Sequence, residues 1–245
     1  MPHIIFSHAN SFGASTYRYL FKQLENRGFK VSAVDRFGHD SAYPVSNNWP
    51  KMVDQLADFA KDKIAATQEP AFLVGHSLGG FLSIMAAAKH PEIAKGVVLI
   101  DSPILGGWKA NTLNVIKRSQ LVGSVSPGAV SQKRRYQWPN KEAALEYFKT
   151  KKAFAKWHPQ VLQDYIDYGL TEHNGKQVLA FDRDIETQIY NTLPDNLDRL
   201  LKRHPLRCKV AFLGGTRSEE MRRVGMALTE RIIHDGHKAG LPGRI

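Results

Sequence analysis

The chain reads as an α/β protein: a mostly parallel sheet with helices on both faces and one helical insertion. Three observations predict this. Apolar runs recur at 3–9, 30–38, 71–74, 96–103 and 209–215, and near-continuous apolar strands are those buried on both faces of a parallel sheet. Between them lie segments whose apolar residues repeat at the spacing of one helical face. The alternation then breaks over 104–205, a stretch rich in Lys, Trp, Tyr and Gln. A strand–helix core interrupted by an insertion follows.

The elements can be justified in order. HIIFSHA (3–9) is a strand ending in polar and small residues. Tyr17, Leu20, Phe21 and Leu24 fall at i, i+3, i+4 and i+7 of a helix, and Gly28 stops it. KVSAVDRFG (30–38) is a second strand, and Trp49, Met52, Val53, Leu56, Phe59 and Ala60 mark a second helix. AFLV (71–74) leads into a third helix over 78–90, ended by Pro91, and GVVLIDSP (96–103) follows as a strand. Within the insertion, HNGKQVLAF (173–181) reads as a short hairpin around Asn-Gly. KVAFLGG (209–215) resumes the sheet, and Met221, Val224, Leu228 and Ile232 form the stripe of the helix after it. The expected organisation is a core over 1–103, an insertion over 104–205 and a second part of the core over 206–245.

Composition narrows the class. Hydrophobic content of 42% and charged content of 23% are those of a globular protein rather than a disordered one. The opening MPHIIFSHAN lacks a basic n-region and a cleavage site, so no signal peptide is expected, and no apolar run is long enough to span a membrane. The single Cys208 rules out an internal disulfide. A cytoplasmic location is the expectation. The net charge of +11 is concentrated: Lys109 to Lys156 holds eleven Lys or Arg against two acids, Glu142 and Glu146. Such a run is either a solvated basic face or a field that attracts an anionic group on a small-molecule substrate. Aromatics interleave with these charges, but no recognition motif accompanies them, so nucleic acid is not an expected partner. Oligomeric state is left open.

The chemistry concentrates at FLVGHSLGGF (72–81). An apolar strand runs into G-x-S-x-G and then into helix formers, the strand–turn–helix context in which a serine side chain projects above a sheet. Gly75 and Gly79 stand two residues either side of Ser77, where a Cβ would crowd the turn. The helix start directs free N–H groups at the same place, which suits a developing oxyanion. Ser77 is therefore the candidate nucleophile. No metal motif is present, and GHSLGG lacks the G-K-[ST] ending of a phosphate loop, so cofactor-free chemistry is expected.

With GHSLGG at 75–80, SHANSFG at 7–13, LIDSP at 99–103 and the insertion where a cap would lie, the chain resembles the α/β-hydrolase family over nearly its whole length. The resemblance implies a serine hydrolase acting on an ester or related acyl substrate through an acyl-enzyme. It implies an oxyanion hole made by the Leu78 amide and one from Ala9, Asn10 or Ser11, although His8-Ala9-Asn10 stands where many members have His-Gly. His8 is expected to fix that loop, and His76 has no expected catalytic role. The acid is carried after one of the two strands following the elbow: Asp101, or Glu219 with Glu220 beside it.

The base is expected in a loop after a further strand. Beyond Ile233 the sequence holds only HDGHKAGLPGRI, so His237 and His234 are the only histidines in the family's chain order. The tail matches neither a final strand nor a closing helix. It reads as truncated or altered, as a frameshift would make it. The competing expectations are a non-catalytic protein of the same fold lacking the triad histidine, and a basic interaction module acting through 109–156.

Overall fold

In a computed structural model, residues 1–104, 131–218, 221–222 and 226–234 are described. Five strands form one sheet: β1 (His3–Ser7), β2 (Lys30–Ala33), β3 (Ala71–His76), β4 (Ala94–Ile100) and, after a smaller sheet, β8 (Lys209–Leu213). Their order is β2-β1-β3-β4-β8, and every pairing is parallel. The mostly parallel sheet expected from the sequence is thus present. Chain order reverses at β1, which has β2 on one side and β3 on the other, and the carboxyl ends of β1 and β3 flank the crevice where open α/β sheets bind ligands.

Period-two alternation explains how the strands are buried. Ile5, Leu73, Val97, Leu99 and Val210 point to one face, where they pack with α2 (Pro50–Ile64) and α3 (Leu78–Lys89). Ile4, Phe6 and Val74 point to the other, against Tyr17, Leu20, Phe21 and Leu24 around α1 (Arg18–Glu25). The stripe read at 17–24 is therefore the packing face of α1.

Four strands stop before the ends of their apolar runs: β4 at Ile100 rather than 103, β8 at Leu213 rather than 215, and β1 and β2 as follows. β2 ends at Ala33 rather than 38 because it pairs only with β1, and the register Phe6↔Ala33 is the last they share. Val34 and Phe37 stay buried but leave the sheet to pack beneath the loop after β1. β1 ends at Ser7 rather than 9, since His8 turns away into that loop.

The segment 131–205 builds its own layer. β5 (Gln137–Trp138), β6 (Leu170–His173) and β7 (Lys176–Leu179) form an antiparallel sheet in the order β5-β7-β6. The hairpin forms at Asn174 and Gly175, with φ of 50° and 72°, the paired positive values that a two-residue turn of this hand requires. With α4 (Lys141–Lys149) and α5 (Pro159–Tyr168) this sheet encloses an aromatic cluster of Trp138, Phe148 and Tyr165. Phe12, from the loop after β1, packs into it against Phe154, Trp157 and Tyr165. The chain continues through α6 (Arg183–Asn191) and α7 (Leu197–Arg203), and α8 (Ala227–His234) follows β8. Leu228 and Ile232 of α8 join the core. The tail beyond 234, and the part of the basic run before 131, lie outside the described residues. Among the described residues, no helix is long and apolar enough to cross a membrane.

Candidate active site

Ser77 sits at the hinge between β3 and α3 with φ 50° and ψ −114°. A non-glycine residue in such a conformation is strained by about 1–3 kcal/mol and persists only where its surroundings enforce it. Here the enforcement is close backbone approach. A Cβ on Gly75 would lie 2.1 Å from the Gly79 carbonyl oxygen, and one on Gly79 would lie 2.0 Å from the Ser7 carbonyl oxygen. Only glycine lets the β3–α3 turn press against itself and against the end of β1.

Hydrogen bonds fix the serine's backbone. The Ser77 amide donates to the Ile100 carbonyl at 3.0 Å, and the Ser77 carbonyl accepts from Gly80 N–H at 3.0 Å. Ser102 Oγ reaches both the Ser77 carbonyl (3.0 Å) and the Ile100 carbonyl (2.9 Å), tying the tips of β3 and β4 together. Leu78, as the first residue of α3, has no intrahelical acceptor for its N–H, and no other described residue accepts it.

The loop after β1 is pinned residue by residue. His8 is completely buried. Its Nδ1 donates to the Ala9 carbonyl at 2.8 Å and its Nε2 accepts from Phe37 N–H at 2.9 Å, so the ring is neutral with its proton on Nδ1. Burial lowers its pKa to about 4. This ring fixes the loop, as expected. The Ala9 amide donates to Tyr17 Oη at 3.1 Å, and Tyr17 Oη lies 2.8 Å from His76 Nδ1. Tyr17 Oη thus bridges the Ala9 amide and the His76 ring. Burial raises the Tyr17 pKa well above its ordinary value and lowers that of His76, the latter offset in part by the Asp101 charge. Ser11 takes φ 76°. Its amide donates to Asn10 Oδ1 at 3.1 Å, Asn10 Nδ2 donates to the Glu186 carbonyl at 3.1 Å, and Ser11 Oγ donates to Glu186 Oε1. The Asn10 amide donates to no described residue.

Asp101 follows β4 directly, with φ 46°. Its amide donates to the Leu213 carbonyl at 2.8 Å, and its Oδ1 lies 3.4 Å from Gly215 N–H. Ser77, Leu78, Ala9, Asn10 and Asp101 therefore gather at the carboxyl ends of three neighbouring strands. Glu219, Glu220 and His237 lie outside the described residues, and His234 ends α8 with only its backbone described.

Three residues of this site, Tyr17, Ser102 and Glu186, carried no functional reading in the sequence, and Arg134 was read only as part of the basic run 109–156. Tyr17 was legible only as part of an apolar stripe. Ser102 stood in LIDSP without a role. Glu186 and Arg134 lie 52 residues apart, and they meet as an ion pair, Arg134 Nη2 to Glu186 Oε2 at 2.8 Å. Glu186 is only 3% exposed. Nothing local to DRDIETQIY signals that burial.

The parallel sheet and the strand–turn–helix at Ser77 fit the family whose model matches the chain. The chain belongs to the alpha/beta hydrolase family, whose model matches residues 4–224. Among relatives, it is 26% identical over 206 residues to an uncharacterized abhydrolase domain-containing protein of Dictyostelium discoideum, covering 76% of this chain and 22% of that one. It is 31% identical over 133 residues to monoglyceride lipase of Rattus norvegicus, covering 51% of this chain and 42% of the relative. It is 33% identical over 100 residues to 2-(acetamidomethylene)succinate hydrolase of Mesorhizobium japonicum, covering 41% and 35%. Each alignment spans less than half of the relative's own length. Among solved structures, E-2-(acetamidomethylene)succinate hydrolase superposes with a TM-score of 0.73 at 22% identity, covering 99% of this chain and 84% of the other. A thioesterase domain from the curacin biosynthetic pathway gives 0.69 at 17% identity, covering 99% and 84%. These two likenesses concern the fold.

Proposed function

We propose that this protein is a cofactor-independent serine hydrolase that cleaves an ester or related acyl substrate through an acyl-enzyme. The observation that carries the reading is the strained Ser77 on a turn closed by Gly75 and Gly79, beside a Leu78 amide with no described acceptor. Ser77 Oγ would attack the acyl carbonyl carbon and lose its proton to a base. The carbonyl oxygen would take the negative charge and accept hydrogen bonds from the Leu78 and Asn10 amides. Of the three loop amides considered, Ala9 already donates to Tyr17 Oη and Ser11 to Asn10 Oδ1, which favours Asn10. Collapse would expel the alcohol or equivalent leaving group, and water would then release the acid and regenerate Ser77. Asp101 is the acid this reading assigns among the described residues, and residues 104–205 form the cap over the serine. The lipase and hydrolase relatives support acyl chemistry, and the basic run at 109–156 supports an anionic group on the substrate.

One observation favours a second reading, a non-catalytic protein of the same fold. His8 and His76, the histidines flanking the site, are both committed elsewhere: His8 to Ala9 and Phe37, His76 to Tyr17. The base then falls to His234 or His237. Turnover of p-nitrophenyl acyl esters, with neutral and carboxylate-bearing acyl groups, separates the readings. Hydrolysis lost in Ser77→Ala supports the enzyme. Stoichiometric Ser77 modification without turnover supports the second reading, and neither turnover nor modification sinks the first.

A further inference from the structure

Glu186 belongs to α6 in the covering segment, yet both its ends grip the loop that carries Asn10. Its main-chain carbonyl accepts from Asn10 Nδ2 at 3.1 Å, and its Oε1 accepts from Ser11 Oγ. Oε2 faces Arg134 at 2.8 Å, so one buried carboxylate serves the loop with one oxygen and a cation from the same segment with the other. Ser11 sits between them in a left-handed conformation, φ 76°, that needs such restraint in a residue with a Cβ. Asn10 closes the circuit, since its Oδ1 receives the Ser11 amide while its Nδ2 binds Glu186.

We infer that Glu186, held by Arg134, is a positioning residue that sets the oxyanion-loop amide of Asn10 from the segment 131–205. This rests on the reading of Asn10 as an oxyanion donor. The physical reason is the geometric demand of such a donor. A shift of about 1 Å in a group that binds developing charge costs on the order of 100-fold in rate, and the polar clamp on this loop from outside the core runs through Glu186. Apart from its own turn, in which Phe12 N–H donates to the Ala9 carbonyl at 3.2 Å, the core fixes this loop through His8 and Tyr17, both of which act at its first two residues.

Two variants test it. Glu186→Gln keeps an oxygen for Ser11 but removes the charge facing Arg134, and it can lose folding stability outright. Ser11→Ala removes one hydrogen bond, leaves the ion pair intact and keeps the fold. Two readouts are taken on each, with thermal melting as a control. The first is amide hydrogen exchange of a peptide spanning 9–12. The second is the saturation kinetics of Ser77 labelling by a fluorophosphonate. The proposal expects Ser11→Ala to melt like the wild type, to exchange faster over 9–12 only, and to lose on the order of 10-fold in maximal labelling rate at unchanged half-saturating probe concentration. Unchanged exchange over 9–12 overturns the clamp. Faster exchange with an unchanged maximal rate overturns its positioning role. A wild type that does not label at all removes the reading of Ser77 as nucleophile, and with it the positioning role, while the exchange measurement still decides whether the clamp exists.

Discussion

The elbow around Ser77 and the loop at residues 8–12 face each other across the ends of β1 and β3, but they are held in different ways. The elbow is held by exclusion: Gly75 and Gly79 allow backbone approaches that any Cβ would block, and nothing outside its own turn and the adjoining strand ends is needed. The loop is held by attachment. His8 reaches Phe37, Ala9 reaches Tyr17, and Asn10 and Ser11 reach Glu186, so each residue depends on a distant partner. A turn built by local sterics is rigid wherever the sheet is folded. A loop built from long-range hydrogen bonds depends on the segment that supplies them.

The contrast can be broken experimentally, most forcefully at the elbow. Gly79→Ala drives a methyl into the Ser7 carbonyl, and overpacking against backbone should cost about 3 kcal/mol or more in urea unfolding. A loss below about 1 kcal/mol would show that the turn yields, and the distinction between the regions would fail. At the loop, the corresponding signature is a pH dependence. His8 titrates near 4 in the fold against 6.5 ordinarily, so between these values only the unfolded chain takes up the proton. Stability should therefore decline as pH falls from about 6.5 to about 4, level off below, and lose about 3 kcal/mol in total, an upper value for one group. Subtracting the same denaturation series for His8→Gln isolates the effect, and identical slopes would remove His8 from the account.

Tyr17→Phe should be milder. It leaves the Ala9 amide and His76 Nδ1 without their shared partner, for about 1–2 kcal/mol, and it should slow Ser77 labelling more than the stability loss accounts for. An equal effect on a distant core bond, read by hydrogen exchange, would argue that Tyr17 is only packing. The smallest expected effect lies in the covering segment. Gly175→Ala at φ 72° should cost about 1 kcal/mol and leave Ser77 labelling untouched, since an added Cβ there meets nothing within 4 Å.

The same contrast explains what could be read in the sequence. Strand centres, the packing stripe of α1, the Asn174–Gly175 hairpin and the elbow all arise from interactions within a few residues, and periodicity or glycine placement records them. The ends of β1 and β2 were overestimated because their apolar runs continue past the last shared register, to pack around His8 rather than in the sheet. Tyr17 was legible as an apolar ring and not as a hydrogen-bond relay. Glu186 and Arg134 look like surface charges in their own segments, and only the tertiary fold buries Glu186 and brings the half-buried Arg134 against it. Asp101 could be named from its place after β4, but its choice over Glu219 was beyond spacing arguments, and its role stands as a proposal.

In the proposed function, the geometry at Ser77 makes it a nucleophile. The direct measurement is the intact mass and peptide map of the full chain after incubation with a fluorophosphonate, beside Ser77→Ala treated identically. The account predicts a single adduct on the peptide containing Ser77, absent from the variant. An unmodified chain, or an adduct that persists in Ser77→Ala, would contradict it.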